Sequence, residues 1–365
     1  INDNTRTFPT DSSMDYGFFE FKNVDAEIEN FLVHGPEVSC DIKQVSTEQY
    51  TGFKIKTFTG KFKINKNELL VSNCSFTTEK SKANLDFAFR YTSFRDYSDF
   101  FNKIRFDVDV KSSVVHMDDI SCFAPAIRGM HNSIIMNGKG DGPLNALKIS
   151  HCYLKYKLTT FIAGNFEFYN ILDFKNSSFN FEIKHSAINP ADVSGFYLPG
   201  GNTIGLPDMI SQIGNSSVTG NFEGTFNYFK TKLKLVTPIG NSEIALQTYP
   251  GKDQMDFTGS VSTINFQLGQ LLNQSNSLGF ANGSFEINGS AAPFFGDIPF
   301  APSLNATIVG DLSQFDFCSY PIRDIHIDGV IGRPCVWSKI GPAPFDQRSD
   351  DTEVGKLYIM TILIG

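Results

Sequence analysis

The chain has 365 residues, of which 36 are Phe and 19% are charged; 31 Lys and Arg against 39 Asp and Glu leave a net charge of −8. A hydrophobic content of 41% is enough to bury a core and excludes a disordered chain, and the acidic balance lacks the electrostatic footprint of a general nucleic-acid binder. No run approaches ~18 consecutive apolar residues, so no helix spans a bilayer, and the chain opens at Ile1 without a signal peptide, which reads as a piece of something longer.

The dominant period is two. Val24, Ala26 and Ile28 alternate with Asp25, Glu27 and Glu29, and Phe53 and Ile55 with Lys54 and Lys56. Phe62 and Ile64 alternate with Lys61 and Lys63, and Leu85, Phe87 and Phe89 with Asp86 and Arg90. Ile104, Phe106 and Val108 alternate with Arg105, Asp107 and Asp109, and Phe179, Phe181 and Ile183 with Asn180, Glu182 and Lys184. The pairs Leu233/Leu235, Phe285/Ile287, Phe315/Phe317 and Ile325/Ile327 repeat the pattern. Each predicts a strand with one apolar and one wet face.

One unit recurs: a lead residue, Gly, any residue, then Phe or Val. It stands at Thr59–Phe62, Ala163–Phe166, Thr219–Phe222, Thr258–Val261 and Asn282–Phe285, at irregular spacing. Helical spacing is rare. Tyr97, Phe100, Phe101 and Ile104 follow Asp96 at helical intervals, Pro207 with Ile210 and Ile213 ends at Gly214, and residues 190–198 hold another turn. The best internal break is 199–207; after residue 333 the periodicity is lost, and 334–365 reads as an irregular tail. The fold class is therefore all-β, a long twisted open sheet with a few short helices, because a single sandwich rarely exceeds ~250 residues.

Motifs for chemistry are weak. Cys40, Cys74, Cys122, Cys152, Cys318 and Cys335 have no zinc or staple spacing and are expected as unpaired, partly buried thiols. The six His, at 34, 116, 131, 151, 185 and 326, are expected to face solvent or the sheet rim. Asp118 or Asp119 is expected to cap a short helix running through Phe123. Residues 138–142, Gly-Lys-Gly-Asp-Gly, lack a Walker spacing and are expected as a hairpin turn. No catalytic residue, metal site or cofactor is expected, and the chain reads as a non-enzyme.

Several segments resemble the TamB-like, AsmA-like translocation and assembly module family of Bacteroidota. They are Asp119–Ile127 (Asp-Ile-Ser-Cys-Phe-Ala-Pro-Ala-Ile), Leu206–Gly214 leading into Val218–Phe226, Thr237–Gly240, and Asn265–Leu272. The resemblance covers roughly residues 15–333, and 335–365 departs from it. It implies a bridge-like lipid-transfer protein: a β-taco groove with an apolar interior, spanning the periplasm to carry phospholipid between inner and outer membrane. It further implies an inner-membrane anchor in a missing N-terminal segment and an Omp85-family, TamA-like barrel as partner through regions outside this chain, which would be a middle segment acting as a monomer.

Under that reading residues 1–333 form one continuous groove, and phospholipid acyl chains meet the apolar sides of the strands. The expected lining is Phe53, Ile55, Phe62, Ile64, Leu85, Phe87 and Phe89; Ile104, Phe106 and Val108; Phe166, Phe168, Phe179, Phe181 and Ile183; and Phe222, Leu233, Leu235, Phe285 and Ile287. Two rivals make different structural expectations. A β-rich binding or adhesion module has closed cores, and a scaffold for outer-membrane protein assembly offers a free edge strand.

Overall fold

The computed structural model describes residues 20–49, 51–123, 127–170, 176–198, 200–204, 206, 211–225, 228–251, 254–292 and 303–331. The expected tail 334–365, Cys335, Pro207 and Ile210 lie outside the described residues. The protein is all-β: open, unclosed antiparallel sheet with a few short helices. It divides into two compact units at Pro207/Asp208.

The first unit is a meander of ten strands: β1 (Phe21–His34), β2 (Glu37–Gln49), β3 (Lys54–Ile64), β4 (Glu68–Thr77), β5 (Lys82–Arg90), β6 (Arg105–His116), β7 (Ser133–Pro143), β8 (Ala146–Tyr156), β9 (Thr160–Tyr169) and β10 (Ser178–Ala187). Each pairs antiparallel with the next. The second unit repeats the plan with β11 (Ser217–Gly224), β12 (Phe229–Thr237), β13 (Gly240–Pro250), β14 (Met255–Ile264), β15 (Leu278–Ala291) and β16 (Asn305–Phe317). The far side of β16 is paired in two pieces, by β17 (Tyr320–Ile322) and β18 (Ile325–Ile331).

A line of bulges crosses the first unit near mid-strand. The register slips at Ile42/Val45 in β2, Val71/Cys74 in β4, Val110/Ser113 in β6, Ile149/Cys152 in β8 and Ile183/His185 in β10. Asn73, Ser112 and His151 take left-handed φ of 52°, 37° and 51° there. The exposed amides are caught by the neighbouring strand: Asp86 accepts from Asn73 N–H at 2.6 Å, and Asn165 accepts from His151 N–H at 3.2 Å. A bulge bends its strand and raises its twist, so aligned bulges bend the sheet along one line. Each also shifts the side-chain phase by one residue. In β4 the inward set runs Leu69 and Val71, then Cys74 and Phe76.

The recurring glycine unit lies inside strands. Gly220 pairs with Leu233, and Gly259 lies between Leu246 and Ile287. A Cβ on Gly220 would collide with the Lys232 carbonyl oxygen, and one on Gly259 with that of Ala245. The unit thus marks where neighbouring backbones approach beneath a large apolar side chain.

Residues 138–142 are not a hairpin turn. They are the second half of β7, with Gly140 opposite Val108 on one side and Ile149 on the other. The chain turns later, between Pro143 and Ala146. Alternate glycines suit an extended strand whose neighbours need the space. A local window predicts a turn there only because Gly-rich polar runs usually form one.

Candidate functional site

The apolar face is a set of side-chain rows running across the strands. In the first unit one row reads Cys40, Phe62, Val71, Phe87, Val108, Gly140, Ile149, Phe166 and Phe181, each opposite the next. The row beside it reads Val38, Ile64, Leu69, Phe89, Phe106 and Gly142. In the second unit the row through Gly220 continues as Leu233, Ile244, Val261, Phe285, Gly310 and Ile327. Alternation in the sequence builds each strand's share, and register joins the shares.

The face is not sealed. Of the expected lining, Phe53, Ile104, Phe166 and Phe179 are buried, and the other sixteen are half-buried. Short helical connections fold over the face at several strand ends and cover it there. The connection Phe94–Asp99 and Phe100–Lys103 sets Phe100 edge-on to Phe89 at 5.8 Å and to Phe106 at 5.4 Å, and leaves Ile104 fully buried. Phe123, after the helix Met117–Ser121, meets Phe53 edge-on at 5.1 Å. In the second unit the helix Leu268–Leu271 joins the cluster of Ala281, Leu312, Phe315 and Ile325.

Aromatic rings along the apolar face touch one another. Phe166 and Phe181 stand T-shaped at 5.3 Å, Phe168 and Phe181 at 5.3 Å, and Phe89 and Phe106 tilt together at 4.7 Å. Phe222 stacks on Phe229 at 4.8 Å. Between the walls of Phe106/Val108 and Ile149, the alternate Gly138, Gly140 and Gly142 leave a strip of β7 without side chains. That strip belongs to the candidate site and was not legible as such, because its glycines read as punctuation. Its signal was the strict alternation of the three glycines.

The opposite face is charged and wet. Arg90 pairs with Asp107 at 3.1 Å, Lys111 with Asp86 at 2.6 Å and Lys148 with Glu167 at 3.0 Å. The Lys111 hydrogen bond, with that of the Asn73 amide, outweighs burial and holds Asp86 below the usual carboxylate value. Such exposed pairs contribute at most about 1 kcal/mol each.

One polar cluster lies at the strand ends of the first unit. The helix Met117–Ser121 is capped by His116, whose Nδ1 accepts from the Asp118 N–H at 3.2 Å, and not by either aspartate. His116 is therefore half-buried rather than on the rim, whereas the other five His are exposed. With the cap supplied by His116, both carboxylates are free to reach sideways. Asp119 accepts from Thr78 Oγ1 at 2.6 Å and from the Ser81 hydroxyl. Asp118 accepts from Lys80 at 2.5 Å and lies 2.7 Å from His131 Nδ1. Burial works against ionising Asp118, but Lys80 and His131 outweigh it and lower its pKa. Ser81 Oγ also accepts the His116 N–H at 2.9 Å, so the hydroxyl is committed on both sides. The cluster ties the β4–β5 turn to the β6–β7 connection and offers no poised nucleophile.

Among the described residues no group of three or more His, Cys, Asp or Glu is placed to hold a metal ion, and no helix is long and apolar enough to cross a membrane. Cys40, Cys74, Cys122, Cys152 and Cys318 are free thiols. Burial pushes Cys74 and Cys152 up to about 11, with Asp86 adding to the shift at Cys74; both are inward-facing packing residues. Comparison of the chain with family models, curated proteins and solved structures finds no match.

Proposed function

We propose that this chain is a non-enzymatic segment of a lipid conduit, carrying phospholipid with its acyl chains on the apolar face and its head groups at the polar seam. The observation that supports this most is the apolar row through Phe62, Phe87, Val108 and Phe181, which runs from strand to strand and is half-buried at these positions, although Val71 and Phe166 in the same row are buried. A contiguous apolar face that stays partly open in a folded chain fits a binding surface. Each methylene moved onto it gains about 0.8 kcal/mol, so a two-chain lipid is held firmly. A uniform row also makes sliding easy, because the apolar surface a lipid leaves behind is matched by the surface ahead of it. A lining that is only half-buried at most positions fits a conduit better than the closed core an adhesion module requires.

The resemblance to the TamB-like family implies a periplasmic setting for this activity, with an inner-membrane anchor and a TamA-like Omp85 barrel as partner through other parts of the protein. Native mass spectrometry of the purified chain tests the reading. Phospholipid-sized adducts that survive purification are expected; a chain that is lipid-free both as isolated and after incubation with phospholipid vesicles would contradict it.

A further inference from the structure

The line of bulges divides the outer face of the first unit, and that face changes character across it. On one side the outward positions are charged and paired, as in Arg90 with Asp107 and Lys139 with Asp109. On the other side they turn apolar. In β7 the outward set runs Asp141, Lys139 and Asn137 and then Ile135. In β6 the outward Asp107 and Asp109 give way beyond the bulge to Val114, opposite Ile135. Ser113 takes an inward place instead, where it is fully buried and accepts from the Asn84 N–H at 2.9 Å. One outer row results: Lys82, Val114, Ile135, Lys155 and Phe161, each opposite the next from β5 to β9.

Val114 is 37% exposed and Ile135 38%, although both lie in mid-sheet with a strand on either side. Tyr153, in the row beside them, stacks on Phe161 at 5.4 Å and extends the apolar area. Lys82 and Lys155 stand at the two ends of the pair Val114 and Ile135, and neither makes an ion pair among the described residues. In a chain of net charge −8 no acid stands in this row, nor in the row beside it, which reads Asn137, Tyr153, Ala163 and His185.

We infer that this outer patch docks an acidic amphipathic α-helix of a protein partner, its apolar stripe on Val114, Ile135 and Phe161 and its carboxylates at Lys82 and Lys155. The apolar face of a sheet is commonly buried under a helix, and complementary charge selects the partner. Lys82 in β5 and Lys155 in β8 lie three strands apart, about 14 Å at ~4.8 Å per strand. A helix laid across the strands spans that distance in about ten residues. A second copy of the same face would set lysines against lysines. A bilayer fits less well: Val114 and Ile135 are short side chains in mid-sheet, and the hydrocarbon begins beneath a head-group layer. The patch lies on the face opposite the proposed lipid path and does not depend on that reading.

The test uses the full chain and two fluorescent helical peptides that share one leucine stripe, flanked by glutamate in one and by lysine in the other. Anisotropy is expected to show the acidic peptide binding about tenfold tighter, a difference of about 1.4 kcal/mol, with the margin shrinking in high salt. Carbodiimide coupling of the acidic peptide, read by mass spectrometry, is expected at Lys82 and Lys155 and not at Lys148, which lies on the same face across the bulges. Lys82→Glu with Lys155→Glu is expected to reverse the preference, and Ile135→Ser to weaken both peptides, with the melting curve little changed in each. Equal binding of the two peptides, coupling only at other lysines, or an acidic preference that survives both lysine swaps would overturn the inference. So would co-sedimentation with anionic phospholipid vesicles that the swaps abolish, which would make the patch a membrane face, or self-association that they abolish.

Discussion

Replacing Phe87 and Phe181 together by aspartate is expected to cut the phospholipid carried by the purified chain by about tenfold or more while leaving the sheet formed. Both residues lie in the same cross-strand row and are half-buried. A carboxylate on an open face keeps its water and repels acyl chains, so the cost to folding is the apolar burial given up, about 1–2 kcal/mol per site. On a sealed face two unpaired carboxylates would cost several kcal/mol each and unfold the unit. Phe106 serves less well, because Phe100 lies over it. Asp107→Lys and Asp109→Lys, on the wet face, are the controls; they break pairs with Arg90 and Lys139 and should cost under about 1 kcal/mol each. Lipid content by extraction, with circular dichroism, reads both outcomes.

Asp119→Ala is expected to destabilise the first unit by roughly 2–4 kcal/mol and lower its melting midpoint by roughly 5–10 °C. The substitution strands the hydroxyls of Thr78 and Ser81, both buried, and frees the β4–β5 turn from the helix that carries Phe123. Its neighbour Asp118 supplies a pH signature. Its folded pKa lies below the unfolded one, so its contribution is present above the unfolded value and is lost as pH falls through the lower folded value. Asp118→Asn should remove that part of the acid limb. A thermal melt of Asp119→Ala within about 1 °C of the parent would show that the carboxylate does not hold the latch.

Period two exposed the strands that hold one unbroken run of alternation, even where a bulge follows it, as in β10. Phe179, Phe181 and Ile183 lie in β10, and Leu233 and Leu235 in β12, as alternation predicts. A bulge hides a strand when it leaves neither half long enough to show the period. In β8 the inward set shifts from Leu147 and Ile149 to Cys152 and Leu154, so neither half is long enough to announce itself. Short-range alternation also made Phe53–Lys56 and Lys61–Ile64 look like two strands, where β3 is one. The bulges depend on cross-strand register, which no local window contains. The lining was legible because it is a property of single strands. Its continuity, and the bare strip of β7, were not, because both arise only when neighbours pair. Openness was the least accessible feature, since the same Phe-rich alternation would serve a sealed core.

Site-specific photo-crosslinking tests the conduit most directly. A benzophenone side chain at Phe87 reaches whatever lies on the apolar face, and one at Asp107 on the next strand reaches what lies on the wet face. In protein incubated with phospholipid vesicles, a phospholipid adduct is expected at Phe87 and at most a trace at Asp107. A folded Phe87 variant that captures only its own chain, or equal adducts at the two positions, would contradict a lipid path along this face.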